Sequence, residues 1–143
     1  TLGNILLAIK RGYVIAWIPI TTNVIDVRDV AAGHLAAAQK GNLGERYILG
    51  AFNMSVKTII DIVATQYKVH PPRFGIPLNT IKSIVSLVDL FPFLSTGNHM
   101  RAISHWQSYN TEKAEVELGL KTRPFIITIT DAMNWFRENG IKV

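Results

Sequence analysis

A chain of 143 residues, 48% of them apolar and 17% charged, is long and greasy enough for one domain with a real core, which excludes a disordered segment. It contains no cysteine, which excludes a disulfide framework and a thiolate zinc site and suits a reducing, cytoplasmic compartment. The net charge of +5 is scattered, and Lys10-Arg11 is its one adjacent basic pair, so no nucleic-acid interface is expected.

Leu2, Ile5, Leu6 and Ile9 recur at helical spacing, which predicts a helix over 2–10 with a stop at Gly12. Residues 13–18 are β-branched and aromatic and predict a strand ended by Pro19; residues 24–27 predict a second, shorter strand. Asp29 is the expected N-cap of a helix over 30–40, because a carboxylate there accepts first-turn amides and meets the positive end of the helix dipole. Alanines crowd one side of that helix, and small side chains let a neighbouring backbone come close. Residues 46–49 predict a strand closed by Gly50. Asn53 or Ser55 caps the next helix, whose apolar stripe is Val56, Ile59, Ile60, Val63 and Tyr67 and whose continuation is stopped by Pro71-Pro72.

Leu78, Ile81, Ile84, Val85 and Val88 mark a helix over 78–91. Residues 95–98 read as a loop, and 100–106 as either helix or irregular chain. A helix over 111–118 is capped at Asn110 and stopped by Gly119. Pro124 suits the first turn of a last helix whose core face is Phe125, Ile129, Met133 and Phe136. The apolar region 76–94 is broken by Asn79, Lys82, Ser83, Ser86, Asp89 and Pro92, so no spanning helix is expected there, and no small-residue cleavage site follows residues 2–9. Helices and strands mix without an internal repeat, and a single α/β domain over 1–143 is the expectation.

Several kinds of chemistry have no support in the residues. A dinucleotide site needs glycines that let backbone approach a pyrophosphate, and neither Gly-x-x-Gly-x-x-Gly nor Gly-x-Gly-x-x-Gly occurs. His34, His70, His99 and His105 show none of the i, i+4 pairing of zinc proteases, so no metal site is expected. The nucleophile elbow Gly-x-Ser-x-Gly is missing as well.

Three blocks carry a family resemblance: the stretch from Asn23-Val24-Ile25-Asp26-Val27-Arg28-Asp29 to Gly33-His34, then Gly44-Glu45-Arg46-Tyr47-Ile48-Leu49-Gly50, and then Asn110-Thr111-Glu112-Lys113-Ala114 running to Leu118-Gly119-Leu120. In that order they resemble the C-terminal part of the extended short-chain dehydrogenases/reductases, which include NAD(P)-dependent sugar epimerases and dehydratases and dihydroflavonol-reductase-like enzymes. The resemblance implies an α/β fold, mostly helical with a few short strands, that forms the substrate-binding portion of a Rossmann-type enzyme. It also implies that the nucleotide-binding domain lies ahead of Thr1, that NAD or NADP serves the parent protein, and that this segment alone binds no cofactor and turns nothing over.

In that family a Tyr-x-x-x-Lys pair supplies the proton donor and the lysine that lowers its pKa. Tyr109 and Lys113 have the spacing but stand at a helix start in the wrong part of the chain, so the match reads as coincidence. The epimerase branch grips substrate phosphates with an arginine shortly before the helix that Asn110 opens. The resemblance therefore implies substrate contacts at Arg101, Asn23 and Tyr109, with a solvated arginine in a surface ion pair as the alternative for Arg101. Thr22 stands where nucleotide-sugar epimerases carry an arginine, which shifts weight towards dihydroflavonol-reductase-like or hopanoid-associated epimerase-like relatives. Ile126 and Ile127 replace acids usual in the family and enlarge an apolar patch. The implied partner is a small molecule, a sugar derivative or a hydroxy or keto compound. Apolar helix faces and strand edges left open by the missing part imply homo-oligomers. The competing reading is a non-catalytic protein- or membrane-interaction domain built around the 78–91 helix.

Overall fold

The computed structural model describes residues 2–80, 83 and 108–141. The chain forms two compact units, the first from Thr1–Thr22 and Ser55–Gln107, the second from Asn23–Met54 and Ser108–Val143. A two-stranded sheet joins strand β2 (Thr21–Val24) to β3 (Phe52–Ser55).

In the first unit, helix α1 (Leu2–Lys10) packs on α3 (Val56–Tyr67). Leu6, Leu7 and Ile9 come inward from one helix and Ile59, Ile60, Val63 and Ala64 from the other, as their 3.6-residue spacing requires. The Lys10 ammonium lies 5.2 Å from the centre of the Tyr67 ring. Of the two caps expected for α3, Ser55 is the one used: its hydroxyl accepts from the Thr58 N–H at 3.0 Å. Lys68 ends the helix in the left-handed region at φ 54°. Strand β1 is only Ala16–Trp17, shorter than the predicted 13–18, and pairs in parallel with β4 (Phe74–Gly75). A side chain at Gly75 would place its Cβ 2.7 Å from the Trp17 ring, so glycine is what lets the indole lie against that strand.

In the second unit, helix α2 (Val27–Lys40) packs on α4 (Glu112–Leu118). Ala114, Leu118 and Leu120 form the buried centre, with Ile25, Ala36, Ala37, Tyr47 and Leu49 against it. What the small residue admits at Gly33 is a side chain and not a backbone: a Cβ there would stand 2.7 Å from a Leu49 methyl. Helix α5 (Phe125–Glu138) buries Phe125, Ile129 and Met133. Phe136, expected on the same face, is half-buried.

Three sequence expectations need correction. Helix α2 begins three residues earlier than expected, and its cap is Asp26, whose carboxylate accepts from the Arg28 N–H at 2.9 Å; Asp29 lies in the first turn, buried and paired elsewhere. The second strand accordingly ends at Val24, before that cap. Residues 46–49 are not a strand: their alternation turns Tyr47 and Leu49, both half-buried, against the core, but no described strand lies alongside to complete a ladder. Asn110 does supply a cap-like bond, accepting from the Glu112 N–H at 2.9 Å, and Gly119 stops α4 in the left-handed region at φ 70°. The helix predicted over 78–91 is helical at 78–80 and 83; its remainder, the loop at 95–98 and the segment 100–106 lie outside the described residues.

Candidate functional site

Two of the three residues expected to contact substrate come together. Asn23 is the third residue of β2, and Asn53 is the second of β3. The Asn53 side-chain amide treats Tyr109 as a neighbouring strand would. Its Oδ1 accepts from the Tyr109 N–H at 3.0 Å and its Nδ2 donates to the Tyr109 carbonyl at 2.8 Å. Asn23 Nδ2 donates to Asn53 Oδ1 at 2.9 Å, and Asn23 Oδ1 accepts from the Ala51 N–H at 3.1 Å. Gly50 makes room: a Cβ there would stand 2.4 Å from Asn23 Oδ1 and 2.8 Å from the Thr111 methyl. Tyr109 remains 48% exposed. Arg101 lies outside the described residues. Asn53 entered the sequence reading only as a possible helix cap; the strand that carries it, Phe52–Ser55, was not expected, so nothing in the sequence marked its amide. The cluster offers a half-open tyrosine whose backbone is held by a neutral amide, which suits hydrogen bonding to uncharged polar groups of a small molecule.

A second cluster is charged and structural. Asp26 is buried and collects bonds from Arg28 Nε at 2.9 Å and Nη2 at 2.7 Å, from the Thr128 hydroxyl at 2.9 Å, and from Arg123 Nη1 at 3.4 Å. Arg123 also donates its backbone N–H to Asp29 Oδ2 at 2.9 Å and pairs Nη2 with Asp29 Oδ1 at 2.9 Å. Arg28 reaches Asp131 at 2.8 Å. The Arg28 guanidinium holds the Asp26 carboxyl well below the usual carboxylate range; burial opposes this, while the Arg28 N–H and Thr128 hydroxyl reinforce it. The same pairing, with Asp131, raises Arg28. This network fixes the start of α2 to the start of α5.

Lys113 does not serve Tyr109. Its ammonium is bonded to Glu45 and lies 4.9 Å from the Tyr47 ring centre, and the Glu45 bond raises its pKa and lowers that of Glu45. His34 and His70 are exposed, and the described residues contain no cluster of three potential metal ligands. A surface depression of about 420 Å³ at the end of α3, lined by Asp61, Thr65, Lys68 and His70 among others, holds none of the expected substrate contacts.

Among the described residues, the starts of α2 and α3 do not fit a dinucleotide. The turns into α2 and α3 contain no glycine, and the side chains of Asp26 and Ser55 already occupy first-turn amides where a pyrophosphate would bind.

No family model matches the chain. It is 31% identical over 149 residues to a Synechocystis sp. protein named after dihydroflavonol 4-reductase, an alignment covering 96% of this chain and 43% of that protein. It is 28% identical over 148 residues to sterol demethylase protein B of Methylococcus capsulatus, covering 97% of this chain and 45% of that protein. Among solved structures, the nucleoside-diphosphate-sugar epimerase PA4631 from Pseudomonas aeruginosa superposes with a TM-score of 0.81 at 26% identity over 100% of this chain and 44% of its own. The structure of gox2253 does so with a TM-score of 0.80 at 28% identity over 99% and 45%. The fold and these relatives fit the C-terminal part of an extended short-chain dehydrogenase/reductase, the class that the three sequence blocks resemble. The chain spans less than half the length of each relative named.

Proposed function

We propose that this chain forms the substrate side of an NAD(P)-dependent reductase or epimerase acting on a hydroxy or keto compound or a sugar derivative. In this reading the nucleotide and the proton-transfer residues belong to a further portion of a longer, cytoplasmic protein. Asn23 and Tyr109, with Arg101 upstream, contact the substrate and help keep water from the reacting carbon. The observation that carries the reading is the convergence of Asn23 and Tyr109 on one amide, Asn53, in a chain whose relatives are named for reductase and epimerase activity. Exposed apolar side chains on α2 and α5 support self-association as part of the same reading.

The test is a comparison of this chain with the longest natural reading frame that contains it. NADPH and NADH consumption is followed with dihydroquercetin, and epimerisation with UDP-glucose. Turnover by the longer protein and none by the 143-residue chain is the expected result. A longer protein that binds neither nicotinamide dinucleotide overturns the assignment.

A further inference from the structure

We propose that Asn53 is a positioning residue: its side-chain amide sets the backbone of Tyr109 and thereby the direction in which the half-open phenol is offered to substrate. The inference rests on the reading of Tyr109 as a substrate contact and adds a residue that the sequence did not assign to the site.

The argument begins with what holds Tyr109. Residues 108–110 form no regular structure, so no ladder or helix fixes them. Among the described residues, both backbone hydrogen bonds of Tyr109 go to the Asn53 amide, at 3.0 and 2.8 Å. A planar amide with a donor and an acceptor side by side can satisfy an N–H and a C=O of the same residue only in one orientation, so the pairing fixes direction as well as distance. Asn53 is itself fixed, because Asn23 Nδ2 donates to the oxygen that receives the Tyr109 N–H. Asn23 is held in turn by the Ala51 N–H, beside a Gly50 that admits no side chain. Strand, amide pair and tyrosine therefore form one chain of hydrogen bonds. Its last member is the only one with an open aromatic side chain.

The substitutions separate the parts. Asn53→Ala removes both bonds to Tyr109. Asn53→Asp keeps the acceptor, loses the donor and sets a carboxylate oxygen against the Tyr109 carbonyl. In the longer protein described above, hydrogen exchange and steady-state kinetics with NADPH and dihydroquercetin are measured side by side. Asn53→Ala is expected to speed exchange of the Tyr109 amide about tenfold or more, while amides of α3 and α5 keep wild-type protection as the control for folding. KM is expected to rise about tenfold with kcat within about twofold, and Asn53→Asp, whose carboxylate repels the Tyr109 carbonyl, to depart from wild type in the same direction in both measurements.

Unchanged exchange at Tyr109 in Asn53→Ala overturns the proposal. So does faster exchange with an unchanged KM, since the clamp would then be structural only. Tyr109→Ala with a wild-type KM sinks the substrate-contact reading instead. If dihydroquercetin is not turned over at all, that reading fails for this substrate class, and the exchange measurement alone decides whether Asn53 fixes Tyr109.

Discussion

Asp26 concentrates the energetics of the second unit in one side chain. It caps α2, accepts from Arg28, Thr128 and Arg123, and is buried. Because Arg28 is half exposed, the ion pair itself is worth little, and the larger cost of losing Asp26 comes from the cap and from donors left without an acceptor. Asp26→Ala is expected to destabilise by about 2–3 kcal/mol in urea unfolding. The pH dependence has a definite sign. The folded-state pKa of Asp26 lies below its ordinary 3.8, so its contribution is complete above that value and is lost as the pH falls below it. Wild-type stability should therefore drop on the acid side of about pH 4, and Asp26→Asn should flatten that limb. Gly50 argues at the same scale through space. A methyl group there meets Asn23 Oδ1 and the Thr111 methyl, so Gly50→Ala should cost about 1–3 kcal/mol by thermal or urea unfolding and should loosen the Asn23–Asn53 amide pair. None of this was readable beforehand. The acid in the Val-Arg-Asp run was visible as a cap, but which of Asp26 and Asp29 took that part depended on Arg123, which is 97 and 94 positions away respectively.

At the scale of elements, what the sequence displayed was periodicity. Helices α1, α3 and α5 carry apolar residues every third or fourth position over two or more turns, and all three stand where that spacing put them. The strands are two to four residues long, too short for an alternation to declare itself, and a strand exists only where another lies beside it. Residues 46–49 show the difference: their side chains alternate as a strand's would, and no partner is there among the described residues. The candidate site was legible in part for the same reason. Asn23 opens the first recognisable block and Tyr109 stands immediately before the third, whereas Asn53 acts through a pairing across 56 positions. The end of α3 allows a test at this scale. Lys68 adopts φ 54°, a conformation that glycine tolerates without the Cβ conflict. Lys68→Gly should therefore leave stability unchanged or raise it by about 0.5–1 kcal/mol, read as a thermal midpoint no lower than wild type. A clear fall would mean that the lysine side chain contributes more than its backbone costs.

For the molecule as a whole, α2 is the telling helix, because it is apolar on two faces. Gly33, Ala36 and Ala37 are turned to the core, while Val27, Ala31 and Leu35, spaced four apart, form a second stripe open to solvent, with Val27 77% and Leu35 66% exposed. Ile126, Ile127 and Trp135 of α5 are exposed as well. A helix that is apolar on both sides is shaped for burial on both. If the chain is the substrate side of a longer protein, as proposed, the remainder of that protein is the expected cover for the stripe. When the chain is studied by itself, a second copy is the remaining one. Light scattering should then give an average mass that rises with concentration. Leu35→Glu should lower that association sharply while changing the unfolding midpoint little, because it sets a charge in the middle of the open stripe and leaves the packed face untouched. A wild-type chain that stays monomeric at high concentration would show that two small faces of this kind are too weak to hold copies together. The stripe would then need a larger complementary surface, such as a whole domain, before it could close.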